Sequence, residues 1–487
     1  MLRPLALALL LAAPTLAQEP PPRPRTDLSG GELRYELGRR VRAMEAHWDR
    51  QPDAAARRAA SRSLAQAVRR YFGLRLDLAA KEITAADNAL TGTEPDAALR
   101  WAQALAVRVR DRLIDATATR LEAAVAPFHD APEPAPAGAR LRLVLTEPGG
   151  RVVATAEAPL GTLPASVTLP LADLPEGDLP LVATILAGDR ELVRVPIMVS
   201  VASRLAGRLD AAAKALDAPR PEGAPAVDPT AEATARGLLS QLRGLAGGAP
   251  TETDVPAARR LAALEAIVAA RAQGAPAIGP NAAGDQWLAL GLPDGRSVPV
   301  RVAVPEGLAA DAPRPLVLAL HGAGGSENLF FDGYGAGAVV REAGRRGWIV
   351  AAPRSAGFGA APTAAIVDEL ARLYPVDRDR VFLVGHSMGA MQATAAAGAG
   401  PSRYAGVAAL GGGGTVRKSD ELAALPHFVG IGSADFARRG ALRLRDDLAA
   451  AGVRSITFRE YPDIEHLAIV QVALGDVFAF FDAIAGR

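Results

Sequence analysis

Arg380-Val-Phe-Leu-Val-Gly-His-Ser-Met-Gly-Ala-Met-Gln-Ala-Thr394 is the stretch from which the fold of this chain is read. Val381 to Val384 is a short run of β-branched and aromatic residues, the mark of a buried strand. Ala390 to Ala397 is dominated by good helix formers. Between them lies Gly385-His386-Ser387-Met388-Gly389. A strand turning that sharply into a helix holds its middle residue in a strained backbone, and the flanking glycines leave room for it. The Ser387 hydroxyl then stands at the carboxyl edge of a sheet, over the positive end of a helix, where a nucleophile belongs. The same residues also fit a tight glycine turn whose serine merely caps a helix. In a chain with 48 glycines that plainer reading competes until partners are found downstream.

The surrounding segments supply those partners. Trp287 to Leu292 and Val298 to Val304 flank Pro293-Asp-Gly-Arg296 and read as a hairpin. Pro315 to Leu320 is a fully apolar strand running into His321-Gly-Ala-Gly-Gly-Ser326, and Trp348 to Ala352 is another. Ile366 to Tyr374 is helical. Tyr404 to Leu410, Phe428 to Ile431 and Ile456 to Tyr461 are further strands with helical segments between and after them. This alternation predicts an α/β domain over 284–487, a mostly parallel sheet flanked by helices, with its active edge where strand carboxyl ends meet loops. Asp435 follows one such strand and His466 follows the last. A serine hydroxyl is a poor nucleophile at neutral pH; an imidazole must take its proton, and a carboxylate must hold the imidazole in the right tautomer. Ser387, Asp435 and His466 are therefore the candidate catalytic residues. Asp463 and Glu465 compete for the acid role, but side chains that close to His466 in sequence rarely present to the correct ring nitrogen. The amides of Ala323, in the glycine loop, and Met388 are candidate oxyanion donors.

The order Ser387, Asp435, His466, each at a strand end, resembles the α/β-hydrolase superfamily. His321-Gly-Ala-Gly-Gly325 together with Val384-Gly-His-Ser-Met-Gly389 is similar to the carboxylesterase, dienelactone hydrolase, polyhydroxybutyrate-depolymerase-like and feruloyl-esterase-like group. It is similar also to the phospholipase/carboxylesterase family and to secreted prolyl-oligopeptidase-like peptidases. The resemblance covers about Gly284 to Arg487 and implies a serine hydrolase acting on carboxylic esters through an acyl-enzyme. It gives His321, Gly322, Gly324, Gly325, Gly385, His386 and Gly389 supporting places around the site. No His/Asp cluster has metal-ligand spacing, so neither a metal nor a cofactor is expected. Ser387 stands where dienelactone hydrolases carry cysteine, and no propeller precedes the domain as in the oligopeptidases. A serine peptidase and a non-catalytic interaction protein on a hydrolase scaffold are the competing readings. The short, glycine-rich stretch from Gly398 to Leu425 leaves little room for a lid, which predicts an open pocket for a soluble or polymer-displayed ester.

The remaining 283 residues are read from pattern. At 487 residues the chain has room for roughly two to four domains. It is 49% hydrophobic and 22% charged with a net charge of +1, so nothing global points to nucleic acid or an anionic membrane. The absence of cysteine excludes disulfides and thiolate chemistry. Arg3, the apolar run Leu5 to Ala13 and Thr15-Leu16-Ala17 ahead of Gln18 have the layout of a signal peptide over 1–17. That predicts a secreted or periplasmic protein with no transmembrane segment in its mature chain. A Pro-rich linker over 18–31 precedes an α-helical module over 32–130, read from Leu33, Leu37, Val41 and Met44, from Leu64, Val68 and Phe72, and from Leu105, Val109, Leu113 and Leu121. Trp48, Tyr71 and Trp101 are expected as core anchors. Alternation from Leu141 onward predicts a small β-sandwich over 139–201, which loosely resembles the immunoglobulin-like accessory domains of secreted hydrolases. A helical spacer follows over 202–275. These N-terminal modules are candidates for contact with a cell envelope or polymer.

Overall fold

A computed structural model describes residues 30–130, 133–219, 228–280, 283–309, 311–355 and 362–486. The expected signal peptide over 1–17, and 18–29 of the expected linker, lie outside the described residues. In chain order the first helices are α1 (Gly30–Arg50), α2 (Ala54–Phe72), α3 (Leu76–Thr91) and α4 (Ala97–Gln103). Strands β1 (Leu105–Val109), β2 (Leu113–Asp115), β3 (Arg120–Pro127), β4 (Ala139–Thr146), β5 (Val152–Pro159), β6 (Ala165–Pro170), β7 (Gly177–Ala187) and β8 (Arg190–Ala202) follow. Helices α5 (Leu205–Asp217), α6 (Pro229–Ala246) and α7 (Ala257–Gln273) lead to the C-terminal domain. There the strands are β9 (Gly284–Gly291), β10 (Ser297–Val304), β11 (Arg314–Leu320), β12 (Ile349–Pro353), β13 (Val376–His386), β14 (Gly406–Leu410), β15 (His427–Gly432) and β16 (Ile456–Tyr461). The helices among them are α8 (Leu329–Asp332), α9 (Tyr334–Gly344), α10 (Thr363–Leu373), α11 (Met388–Ala399), α12 (Asp420–Ala424), α13 (Arg438–Ala450) and α14 (Ala468–Ala485).

Strands β9 to β16 form one eight-stranded sheet in the order β16-β15-β14-β13-β11-β12-β10-β9. β10 runs antiparallel to both of its neighbours, and every pair from β12 to β16 is parallel. The strand order reverses at β11, which lies between β12 and β13, so the carboxyl ends of β11 and β13 open the crevice in which such sheets bind ligands. The central strands are apolar throughout because both faces are covered. Leu316, Leu318, Leu320, Val381 and Leu383 point into one core with α10, α11 and α13. Val317, Ala319, Phe382 and Val384 point into the other with α9 and α14. By length and composition α14 is apolar enough to cross a bilayer. Here it buries Ala473, Val477, Phe478 and Phe481 in the sheet's core instead.

The helical module expected over 32–130 is corrected in two ways. Helices α1 to α3 are not a free unit: Met44, Trp48, Leu64 and Ile83 belong to the same apolar cluster as Val317, Phe382 and Phe478. From Leu105 onward the chain is strand. β1, β3 and β6 make a three-stranded sheet, and β2, β8, β7, β4 and β5 a five-stranded one. Leu105, Val107, Leu121 and Val125 of the first share a core with Leu141, Leu143, Leu181 and Ile197 of the second. The sandwich thus starts at Leu105 and ends at Ala202, wider than 139–201. The misreading has a simple cause. A spacing of four residues fits a helical stripe, and it is also two steps of strand alternation, which Leu105, Val107 and Val109 follow.

Helices α5 to α7 form a small core of their own around Leu209, Leu242 and Leu261. Their placement solves a problem for the sheet. β9 is an edge strand, with N–H groups facing outward. α6 lies along it, and two buried threonines answer that edge: Gly291 N–H donates to Thr230 Oγ1 at 3.0 Å and Ala289 N–H to Thr234 Oγ1 at 2.9 Å. Replacing Thr234 with valine keeps the shape and removes the acceptor. The expected result is a loss of about 1–3 kcal/mol of stability, seen in denaturant titration as a lower midpoint with an unchanged slope.

Candidate active site

The turn after β13 is crowded. Ser387 has φ 56° and ψ −114°, a conformation that costs a non-glycine residue about 1–3 kcal/mol. Its N–H donates to Leu410 O of β14 at 2.9 Å. Both flanking glycines are required by close approach. A Cβ on Gly389 would lie 1.9 Å from Leu320 O, and one on Gly385 would lie 2.1 Å from Gly389 O. The strain holds the serine side chain out above the first turn of α11.

His466 stands opposite. Its Nε2 is 2.9 Å from Ser387 Oγ, and its Nδ1 is 2.8 Å from Asp435 Oδ1. Asp435 and His466 are each 5% exposed. Asp435 Oδ1 also accepts from the Ala437 amide at 2.8 Å, which orients the carboxylate. The two loops carrying these residues are stitched together. Ser433 N–H donates to Tyr461 O, Ala434 N–H to Ile464 O and Asp463 N–H to Ser433 Oγ. Neither competing carboxylate serves His466. Glu465 accepts from the Leu467 and Ala468 amides at the start of α14, and burial pushes its carboxyl up to about 7. Asp463 is exposed, and its carbonyl accepts the Ser61 hydroxyl of α2 at 2.5 Å.

The loop after β11 carries the other predicted residues. Gly325 N–H donates to Gly322 O at 3.1 Å, and Gly324 has φ 78°, so the loop turns tightly. Neither the Ala323 nor the Met388 amide donates to another backbone group among the described residues. His321 braces the loop: its Nε2 accepts from the Ser355 amide at 3.0 Å, so Nδ1 carries the proton and donates to Gly322 O at 2.8 Å. Burial lowers the His321 pKa below its usual value, in keeping with a neutral ring.

His386 and Tyr334 tie these parts to one another. His386 Nε2 is 2.8 Å from the His466 carbonyl, which only accepts, so Nε2 carries the proton. Nδ1 then accepts from the Tyr334 hydroxyl at 2.5 Å, and that hydroxyl accepts in turn from Gly322 N–H at 3.4 Å. Burial, and next the neighbouring His466, hold His386 well below its usual pKa. Sequence reasoning placed His386 beside the site and missed Tyr334. Tyr334 starts a turn in which it, Gly335, Ala336 and Gly337 all have positive φ. The alternating glycines of Gly333-Tyr-Gly-Ala-Gly337 were the available signal. The amides of this turn face Glu45 of α1, and Ala336 N–H donates to its Oε2 at 3.2 Å.

A cavity of about 220 Å³ opens beside the loop after β11, bounded by α1, α2 and α3 together with Tyr334, His386 and His466. No lid comes from 398–425, but the N-terminal helices wall the site from the other side. Tyr71, expected in a core, is half-buried on this wall, with its hydroxyl packed on the Cα of Gly324. Arg34 Nη1 donates to Gly324 O at 3.4 Å. Phe436, also missed, lies with its ring 4.2 Å from the His466 ring, and Phe72 packs edge-on against it.

This sheet, with its strained serine beyond the central strand and the glycine loop facing it, gives the C-terminal domain the α/β-hydrolase fold. Residues 316–483 match the alpha/beta hydrolase family. NocK of Nocardia uniformis subsp. tsuyamanensis, designated an esterase by its name, is 36% identical over 125 residues, covering 23% of this chain and 34% of NocK. The match thus spans about a third of that relative's length. Among solved structures, a thermostable esterase is 14% identical, with 77% of this chain and 98% of that one covered at a TM-score of 0.37. S-formylglutathione hydrolase (FrmB) of Staphylococcus aureus is 17% identical, with 41% and 98% covered at a TM-score of 0.35.

Glu45 provides a test of the contact between α1 and the site. Burial pushes its carboxyl from 4.5 to about 7, against the lowering effect of the Ala336, Gly335 and Tyr334 amides. A carboxyl raised in the folded state favours folding most below its unfolded value, and that contribution fades as pH rises through the folded one. Wild type should therefore lose stability relative to Glu45→Gln as pH rises from 4.5 to about 7, with no further change above. Denaturant midpoints of the two proteins across that range check it.

Proposed function

We propose that this chain is a serine hydrolase that cleaves carboxylic esters through an acyl-enzyme. The observation that carries the reading is the unbroken pair of hydrogen bonds from Ser387 Oγ to His466 Nε2 and from His466 Nδ1 to Asp435 Oδ1. In this mechanism Oγ attacks the ester carbonyl carbon while Nε2 takes its proton. The carbonyl oxygen becomes an oxyanion and meets the Ala323 and Met388 amides, at the positive end of α11. The protonated imidazole, held by Asp435, then donates its Nε2 proton to the departing alcohol oxygen, leaving an acyl group on Ser387. Water repeats the sequence: Nε2 takes its proton, the hydroxide oxygen bonds to the acyl carbon, and Oγ leaves with the proton.

A fluorophosphonate probe should label wild type and not Ser387→Ala. Turnover of p-nitrophenyl esters should fall by about six orders of magnitude in Ser387→Ala and by about four in Asp435→Asn. Labelling that survives Ser387→Ala, or intact turnover in that variant, overturns the assignment. Turnover of peptide anilides without short esters replaces the esterase by a peptidase. The reading includes export, supported by the charged, apolar and small-residue pattern over 1–17. A mature protein beginning at Gln18 in the periplasm or medium, identified by mass spectrometry, is the expected finding.

A further inference from the structure

Two recesses meet at His466. One is the cavity of about 220 Å³ against the oxyanion loop. The other, of about 300 Å³, lies past His466 among Ala65, Phe72, Ala434 and Phe436. The three substituents of the attacked carbon have separate destinations. Its oxygen must reach the Ala323 and Met388 amides. The leaving oxygen must lie at His466 Nε2 to receive a proton, so the alcohol attached to it runs toward Phe436. The acyl substituent is left with the recess beside the oxyanion loop.

The recess is mostly hydrocarbon, with the guanidinium groups of Arg34 and Arg42 also on its border, Arg34 donating to Gly324 O. Leu37 and Val41 from α1, Val68 from α2, Ala79 and Ile83 from α3, and Leu329 present hydrocarbon to it. The acidic groups on its border are engaged elsewhere: Glu252 with Ser326 and Asn328, and Asp332 with Thr253 and Arg301. Resting on the ester-hydrolase reading above, we infer that α1 to α3 build the acyl-binding site and that it takes an aliphatic acyl chain of medium length in preference to acetyl. The part of the chain that sets acyl specificity is then the N-terminal helical layer, outside residues 316–483 that match the hydrolase family.

The test is a chain-length series of p-nitrophenyl esters, from acetate through butyrate and hexanoate to dodecanoate, on full-length wild type and two variants. Val41 is half-buried and borders this recess alone of the two, so it tolerates exchange. For wild type kcat/KM should rise roughly fourfold per added methylene, the worth of one buried CH₂, until the cavity is full. Val41→Phe should lower the hexanoate-to-acetate ratio by about tenfold or more, and Val41→Ala should move the optimum to longer chains. Fluorophosphonate labelling separates the ways this can fail. Labelled proteins with a flat series, or with ratios that ignore both substitutions, overturn the acyl site alone. Loss of both labelling and turnover in wild type overturns the hydrolase reading and the acyl site with it.

Discussion

The Leu320 carbonyl oxygen and the Cα of Gly389 are packed so tightly that a methyl group would sit 1.9 Å from that oxygen. The rest of the site follows from this contact. It presses the first turn of α11 onto the end of β11, which brings the glycine loop and the nucleophile turn together although they are distant in sequence. Ala323 and Met388 come from those two segments, so the space between their amides is set where β11 and α11 meet. The strained Ser387 persists because three things fix it at once: the bond from its amide to Leu410 O, the crowding at Gly385, and the crowding at Gly389. A serine on a relaxed turn would have other rotamers and other backbones to adopt. This one has a single place to stand.

Around that turn the groups that orient charge are themselves kept neutral. His386 packs beside His466 with ring centroids 4.7 Å apart. In the proposed mechanism His466 becomes an imidazolium. A second cation at that distance would oppose it by about 3–4 kcal/mol at an effective dielectric of 20, more than a hundredfold in rate. Burial of His386, and the Tyr334 hydroxyl donating to its Nδ1, remove that opposition. The proton on its Nε2 goes to the His466 carbonyl instead, which pins the backbone of the residue whose side chain must move protons. One neutral imidazole thus both positions the base and avoids competing with it.

What could be read from the amino-acid pattern and what could not divides along physical lines. Ser387, Asp435 and His466 were legible because each follows an apolar run that can only be a buried strand, and because a parallel sheet gathers strand carboxyl ends at one edge. His321 and the glycines after it were legible for the same reason. The strands from Leu105 to Pro127 were not, since residues four apart satisfy helix and strand periods alike, and the intervening Ala106 and Ala123 blur the alternation. Tyr334 and Glu45 were not legible because their pairing depends on a left-handed turn meeting a helix from the far end of the chain, which no local pattern records. Phe436 was missed, and Tyr71, which packs against the core as expected, was not read as facing the cavity too, for a different reason. An aromatic residue in an amphipathic helix or a loop carries the same letter whether it fills a core or faces a cavity, and only the packing of α2 against the oxyanion loop separates the two.

That packing makes the N-terminal helices part of the C-terminal domain in a mechanical sense. Arg34 and Glu45 lie on one helix, eleven residues apart, which is about 16 Å along its axis. Arg34 touches the carbonyl of Gly324 in the oxyanion loop, and Glu45 gathers the amides of the turn that carries Tyr334. Tyr334 in turn bonds His386 and meets the amide of Gly322. A rigid helix with one contact on the loop and another on its brace acts as a strut: a shift of α1 displaces both ends together. Its anchoring is strong, because Met44 and Trp48, 1% and 2% exposed, lie in the same apolar core as α9 and α14. Removing the helices would unroof that core as well as the cavity. Residues 316–483 hold Ser387, Asp435 and His466, but the surroundings of these residues are completed by α1, Gly30–Arg50.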